Sequence, residues 1–136
     1  MNKDKAYREL LAKAHESGMM ALELKKPTPV VFYEAGLFTN KPNGESWHEP
    51  GGACGFAWIK IPNARQSFVC WLRKNDIGMK GYPGGGWHVS SYEFGDYLKV
   101  NNYHGQSIEK KEAYCEAVVK ILNVAGLRCY SSSRLD

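Results

Sequence analysis

The run Gly55-Phe56-Ala57-Trp58-Ile59-Lys60-Ile61, closed by Pro62, constrains the fold more than any other segment. Almost unbroken apolar and aromatic character, ended by a residue without a backbone N–H, predicts a strand central in its sheet. A central strand cannot stand alone. The rest of the chain must supply partners for its two edges and helices for its faces.

Upstream, Tyr7, Leu10, Leu11, Ala14, Gly18 and Leu22 recur at three- and four-residue steps and predict an amphipathic helix over Lys3–Leu24. Pro27-Thr28-Pro29 ends it, because proline disfavours α geometry in the residue before it. Val30-Val31-Phe32-Tyr33 predicts a strand, and the turn signals Pro42-Asn43-Gly44 and Glu49-Pro50-Gly51-Gly52 predict a long loop over residues 36–52. Beyond Pro62, Asn63 is placed to cap a helix carrying Phe68, Val69, Trp71 and Leu72 that stops near Gly78. Alternation over residues 87–92 predicts a half-buried strand, which Gly95-Asp96 turns back into residues 97–100 as a hairpin. Ser107 caps a last helix with Tyr114, Val118, Ile121 and Leu122 on its buried face, and Gly126 ends it. Residues 127–130 predict a final strand and residues 131–136 a polar tail. No repeat or linker interrupts this order. Residues 1–136 are therefore expected to form a single α+β domain: one mixed or mostly antiparallel sheet with two or three helices packed on it.

A chain of 136 residues, 43% hydrophobic and 24% charged, can bury one core without staples. Its formal charge of +4 is spread along the chain, which argues against a dedicated duplex-DNA binder with a concentrated basic stripe. Glu109-Lys110-Lys111-Glu112 alternates in sign and reads as a solvated helix face. No apolar run approaches the roughly 20 residues needed to cross a bilayer, and no signal-peptide core follows Met1, so a cytoplasmic location without a membrane partner is expected. Cys54, Cys70, Cys115 and Cys129 are far apart with no C-x-x-C pair. They are expected to be structural thiols, with neither metal nor cofactor bound.

Four stretches together carry a resemblance: Ala14-His15-Glu16-Ser17-Gly18-Met19 with Pro27-Thr28-Pro29; Cys54-Gly55-Phe56-Ala57-Trp58; Gln106-Ser107-Ile108-Glu109-Lys110-Lys111-Glu112-Ala113-Tyr114; and Ala125-Gly126-Leu127 with Ser133-Arg134-Leu135-Asp136. They resemble a family of small proteins encoded by tailed bacteriophages and prophages. The resemblance spans nearly the whole chain and contains no catalytic signature. It implies an accessory protein acting on host machinery or immunity. The segment 93–103 looks longer than its counterpart in that family.

The glycine-rich stretch at residues 81–86 could present backbone N–H groups to an anion, but it lacks a P-loop ending and precedes a strand. Trp87, His88 and Tyr92 adjoin it; period two puts Trp87 on one face and His88 with Tyr92 on the other. Each of Trp87 and His88 fits a stacking contact or a structural place in the sheet. Arg134 offers a planar fork for phosphate or carboxylate, and Asp136 adds a side-chain carboxylate to the terminus. This tail either docks through an internal ion pair or completes a polar pocket. Of the histidines, His15 is placed at the rim of the first helix. His48, in the predicted loop with Glu45 and Glu49, is where a hydrolase could be drawn; His88 and His104 are the remaining candidates.

The leading expectation is a non-enzymatic phage protein that binds and withholds a small anionic ligand, a nucleotide or nucleotide-derived immune signal. Its expected contacts are Arg134, Trp87, His88, Arg65, Lys111, Ser133 and Asp136, with no catalytic residue. That expectation requires the tail and the Gly-Trp-His segment to share one pocket. The rivals are an inhibitor of a host protein anchored by Phe38 and Trp47, a single-stranded nucleic-acid binder and a small hydrolase. The close-packing stripe Ala14, Gly18 and Ala21 suits a homo-oligomer contact or an internal one, and both stay open.

Overall fold

The structure, a computed structural model, describes residues 3–28, 30–35, 42–49, 52–81, 85–100, 105 and 107–136. Its elements in chain order are α1 (Lys3–Leu24), β1 (Val30–Ala35), β2 (Pro42–Glu49), β3 (Gly55–Ile61), α2 (Ser67–Lys74), β4 (Met79–Lys80), β5 (Trp87–Ser90), α3 (Glu93–Leu98), α4 (Ile108–Val124) and β6 (Tyr130–Leu135). The fold is α+β. Four strands form one antiparallel sheet in the order β4-β5-β3-β6, and β1 and β2 pair antiparallel in a second, two-stranded sheet.

As its apolarity predicts, β3 has a strand on each side: β5 pairs Ile59 with Val89 and Ile61 with Trp87, while β6 pairs Ala57 with Ser133. Only one face of it is buried, however. Ala57, Ile59 and Ile61 alternate with the exposed Phe56 and the half-buried Trp58 and Lys60. The buried face, joined by Trp87 and Val89, packs in one core with Leu11 and Ala14 of α1, Val69 and Leu72 of α2, Phe94 of α3, and Tyr114 and Val118 of α4. All four described helices contribute to it, one more than the two or three expected.

The small stripe of α1 serves an internal contact. A Cβ added at Gly18 would come within 2.5 Å of the Tyr114 ring and 2.9 Å of Val118 on α4. One turn away, His15 is only 5% exposed, with Nδ1 2.6 Å from the Tyr114 hydroxyl, so it is a core histidine and not the rim residue expected. The alternating charges that open α4 are likewise committed to partners. Glu109 accepts from the Thr28 N–H (2.8 Å), and the Lys110 ammonium donates to the carbonyls of Leu22 (3.1 Å) and Lys25 (3.2 Å), closing the exposed end of α1.

Four expectations change. Residues 42–49 are a strand: Val30 pairs with Glu49, Phe32 with Trp47 and Tyr33 with Ser46, with the register shifting before Ala35 meets Pro42. Pairing with an adjacent β-branched strand overrides the turn signals, and a two-stranded sheet offers proline the free edge it needs. The expected hairpin after β5 is instead α3. The Glu93 carboxylate accepts from the N–H groups of Ser90 (2.7 Å) and Gly78 (2.9 Å), Phe94 is buried, and Lys99 closes the helix at φ +56. Finally, the polar tail is the last strand, running from Tyr130 to Leu135 against β3. Earlier in the chain, Asn63 does not cap α2 as expected: it accepts from Arg65 N–H in the turn before the helix, whose N-cap is Gln66.

Candidate ligand-binding face

Helices cover one face of the four-stranded sheet and leave the other to be read from its register. Residues directly opposite in an antiparallel pair share a face. Arg134 therefore lies beside Phe56, Ser132 and Ser90 flank Trp58, Tyr130 and His88 flank Lys60, and Met79 lies beside His88. These positions form a platform of aromatic rings interleaved with cations. No Asp or Glu occupies any of them. Phe56 is 45% exposed and Tyr130 51%, so large apolar rings are held out toward solvent.

At one end, two cations converge on a single ring. The Lys111 ammonium lies 5.2 Å from the Phe56 centroid and the Arg134 guanidinium 5.4 Å from it. Both are cation–π distances. Lys111 also donates to the Gly55 carbonyl at 2.8 Å, which fixes it at this end of β3.

At the other end, His88 lies 6.0 Å from the Trp58 ring, tilted at 31°. The Lys60 ammonium donates to the Gly85 carbonyl, and the glycine stretch closes on itself through a Gly81 N–H to Gly86 carbonyl bond of 3.0 Å. Gly81 must be glycine here: a Cβ would meet the Gly85 carbonyl, Lys60 Nζ at 2.6 Å and His88 Nε2 at 2.9 Å. Burial first, and then the Lys60 charge, hold the His88 imidazole below its ordinary range.

Of the expected contacts, Arg134, Lys111 and His88 do come together on this face, spread over its length. The others do not. Trp87 points the opposite way: it is 8% exposed, its indole N–H donates to the Ile77 carbonyl at 2.9 Å, and Arg73 lies 5.0 Å over its ring. Ser133 falls on the helix-facing register and donates to the Glu112 carboxylate at 2.7 Å. Arg65 sits in the turn after Pro62, off the end of β3 remote from Arg134. Asp136 extends the edge strand, its N–H donating to the Cys54 carbonyl at 3.1 Å. The tail thus docks through a backbone ladder and a hydroxyl–carboxylate bond, where an internal ion pair or a polar pocket were the two alternatives expected.

Phe56, Trp58, Lys60 and Tyr130 were not among the expected contacts. The available signal was Lys60: a cation inside an otherwise apolar run marks the even positions of β3 as the open side. Phe38 and His104 lie outside the described residues, and Glu45, Trp47, His48 and Glu49 fall on β2. Among the described residues, no three His, Cys, Asp or Glu side chains gather as a metal site would require. No protein-family model, curated protein or solved structure matches the chain.

Proposed function

We propose that the open sheet face binds single-stranded nucleic acid without catalysis. One observation carries this reading: Phe56, Trp58 and Tyr130 share a face with Lys60, His88 and Arg134, and no carboxylate interrupts them. Exposed rings on a sheet accept stacked bases at about 1–3 kcal/mol each, and neighbouring cations track the phosphates. Length decides between a polymer and a monomer. Phe56 and Lys60 are four residues apart on β3, about 13 Å at strand rise, more than one nucleotide covers.

A compact nucleotide is the second reading, favoured by the two cations over Phe56. The resemblance to phage-encoded proteins, together with the absence of a membrane-crossing helix among the described residues, supports a cytoplasmic setting in which the protein withholds its ligand from the host.

Fluorescence anisotropy with a labelled oligothymidylate tests the reading. Binding should weaken with salt at a log–log slope of about −2, as expected for Lys60, Lys111 and Arg134 on a single strand. Phe56→Ala and Tyr130→Ala should each cost about 1–3 kcal/mol of affinity. Equal affinity for a mononucleotide would favour the second reading, and no binding of either would remove both.

A further inference from the structure

We propose that β6 is a docking edge for a second copy of this chain, the two strands pairing antiparallel about Ser132 and joining two four-stranded sheets into one. The pairing does not depend on what the open face binds. Among the described residues, β6 is paired on one side only, with β3, and ends the sheet. Edge strands that stay unpaired are ordinarily blunted by shortness, proline, lysine, a bulge or a cover. The opposite edge, β4, is blunted in this way, being two residues long. β6 runs for six residues without proline or lysine, and pairs with β3 along its length without a register shift. Tyr130 at its start is 51% exposed and Leu135 at its end 66%.

The Asp136 N–H bond to the Cys54 carbonyl sets the parity of this edge. In an antiparallel strand the N–H and C=O of one residue point the same way, and those of the next point the other way. Tyr130, Ser132 and Arg134 therefore turn their backbone groups toward β3, while Ser131, Ser133 and Leu135 hold theirs outward. Two-fold pairing about Ser132 sets Ser131 against the partner's Ser133, and Ser133 against the partner's Ser131, so outward donors meet outward acceptors. The same register, continued past the ends of β6, sets Arg128 against the partner's Asp136 and Tyr130 against the partner's Arg134. A cation meets a carboxylate and a second cation meets a ring, each twice by symmetry. Arg128 and Asp136 are both exposed. The neighbouring registers of equal parity lose this match. Centring on Ser131 sets Arg128 against the partner's Arg134, and centring on Ser133 sets Arg134 against a serine. This self-complementary order about Ser132 selects a second copy over the strand of another protein.

Sedimentation equilibrium of the full chain from about 1 µM to 1 mM tests the pairing. It should show a reversible monomer–dimer equilibrium, weak as a contact of one strand on one strand must be. Arg128→Glu and Asp136→Lys each turn two attractive pairs into two repulsive ones, and each should raise the dimer Kd about tenfold. The double variant exchanges the charges and should return to within about threefold of the wild type. Circular dichroism checks that these exposed positions leave the fold intact. Ser132→Cys, made together with Cys54→Ser and Cys70→Ser to remove the exposed thiols, should oxidise to a disulfide-linked dimer. In the proposed register residue 132 faces itself in a non-hydrogen-bonded pair, which brings the Cα atoms to about 4.5 Å, within disulfide range. A chain that stays monomeric throughout overturns the proposal and leaves the edge to a strand of another protein. A dimer indifferent to the charge reversals, or one that Ser132→Cys does not cross-link, also overturns it, because the copies then meet through another surface.

Discussion

Gly18 and Tyr114 show how closely two residues decide the helix pairing. The tyrosine ring fills the space a Cβ would need, so Gly18→Ala must displace a fully buried side chain on α4. Overpacking of this kind costs about 1–3 kcal/mol. Urea denaturation should show the loss as a lower midpoint, although alanine has the better helix propensity. Trp87 and His88 make the complementary case, since adjacent residues on a strand point to opposite faces. Trp87→Ala should cost about 3–5 kcal/mol of stability, whereas His88→Gln should leave thermal unfolding near that of the wild type. The thiols divide in the same way. Burial pushes Cys115 up to about 12 and Cys129 to about 11, while Cys54 and Cys70 are exposed. A disulfide reagent at neutral pH should therefore titrate two thiols quickly and the other two only on unfolding. Raised thiol values favour the folded state only while the thiols stay protonated. Stability from this source holds below about pH 9, where unfolded thiols begin to ionise, and is lost as pH rises through 11 and 12.

Elements were legible where local chemistry and tertiary pairing agree. The periodicity of α1 gives its span, and Ser107 does cap α4, accepting from Lys110 N–H at 3.3 Å. They were illegible where a distant partner decides. The serines of β6 have no strand signature of their own, and only the ladder to β3 makes them a strand. That ladder has a parity that can be tested. Asp136 N–H reaches the Cys54 carbonyl, so every second residue back along β6, including Ser132, directs its backbone inward to β3. Ser132→Pro removes an inward bond, whereas Ser131→Pro removes an N–H that points away from β3 on an edge strand. The first should destabilise the protein by about 1–3 kcal/mol more than the second, as measured by chemical denaturation. In α3, the turn residues Gly95 and Asp96 suggested a hairpin, but the bonds Glu93 accepts from Ser90 at the end of β5 and from Gly78 just before β4 hold a helix there. No local pattern announces a carboxylate that accepts from Gly78, fifteen residues back along the chain.

For the whole molecule, the decisive property is that, among the described residues, helices pack on one face of the four-stranded sheet and leave the other open. A near-continuous apolar run predicts a central strand but does not say which of its rings face outward, so Phe56 and Trp58 were not singled out. The tail and the glycine stretch were expected to share a pocket. Arg134 of the tail and His88 of the Gly-Trp-His segment instead lie on opposite flanks of β3 and share its open face, which suits an extended ligand better than a compact one. The indole N–H signals of the tryptophans report on this arrangement directly. Trp71 and Trp87 donate inward to Asp4 and Ile77, while Trp58 lies in the middle of the open face. Titration with single-stranded oligothymidylate, followed by the indole resonances, should shift Trp58 and leave Trp71 and Trp87 in place. A still Trp58 at saturating oligomer, or a Trp87 signal that moves with it, would contradict the assignment of this face.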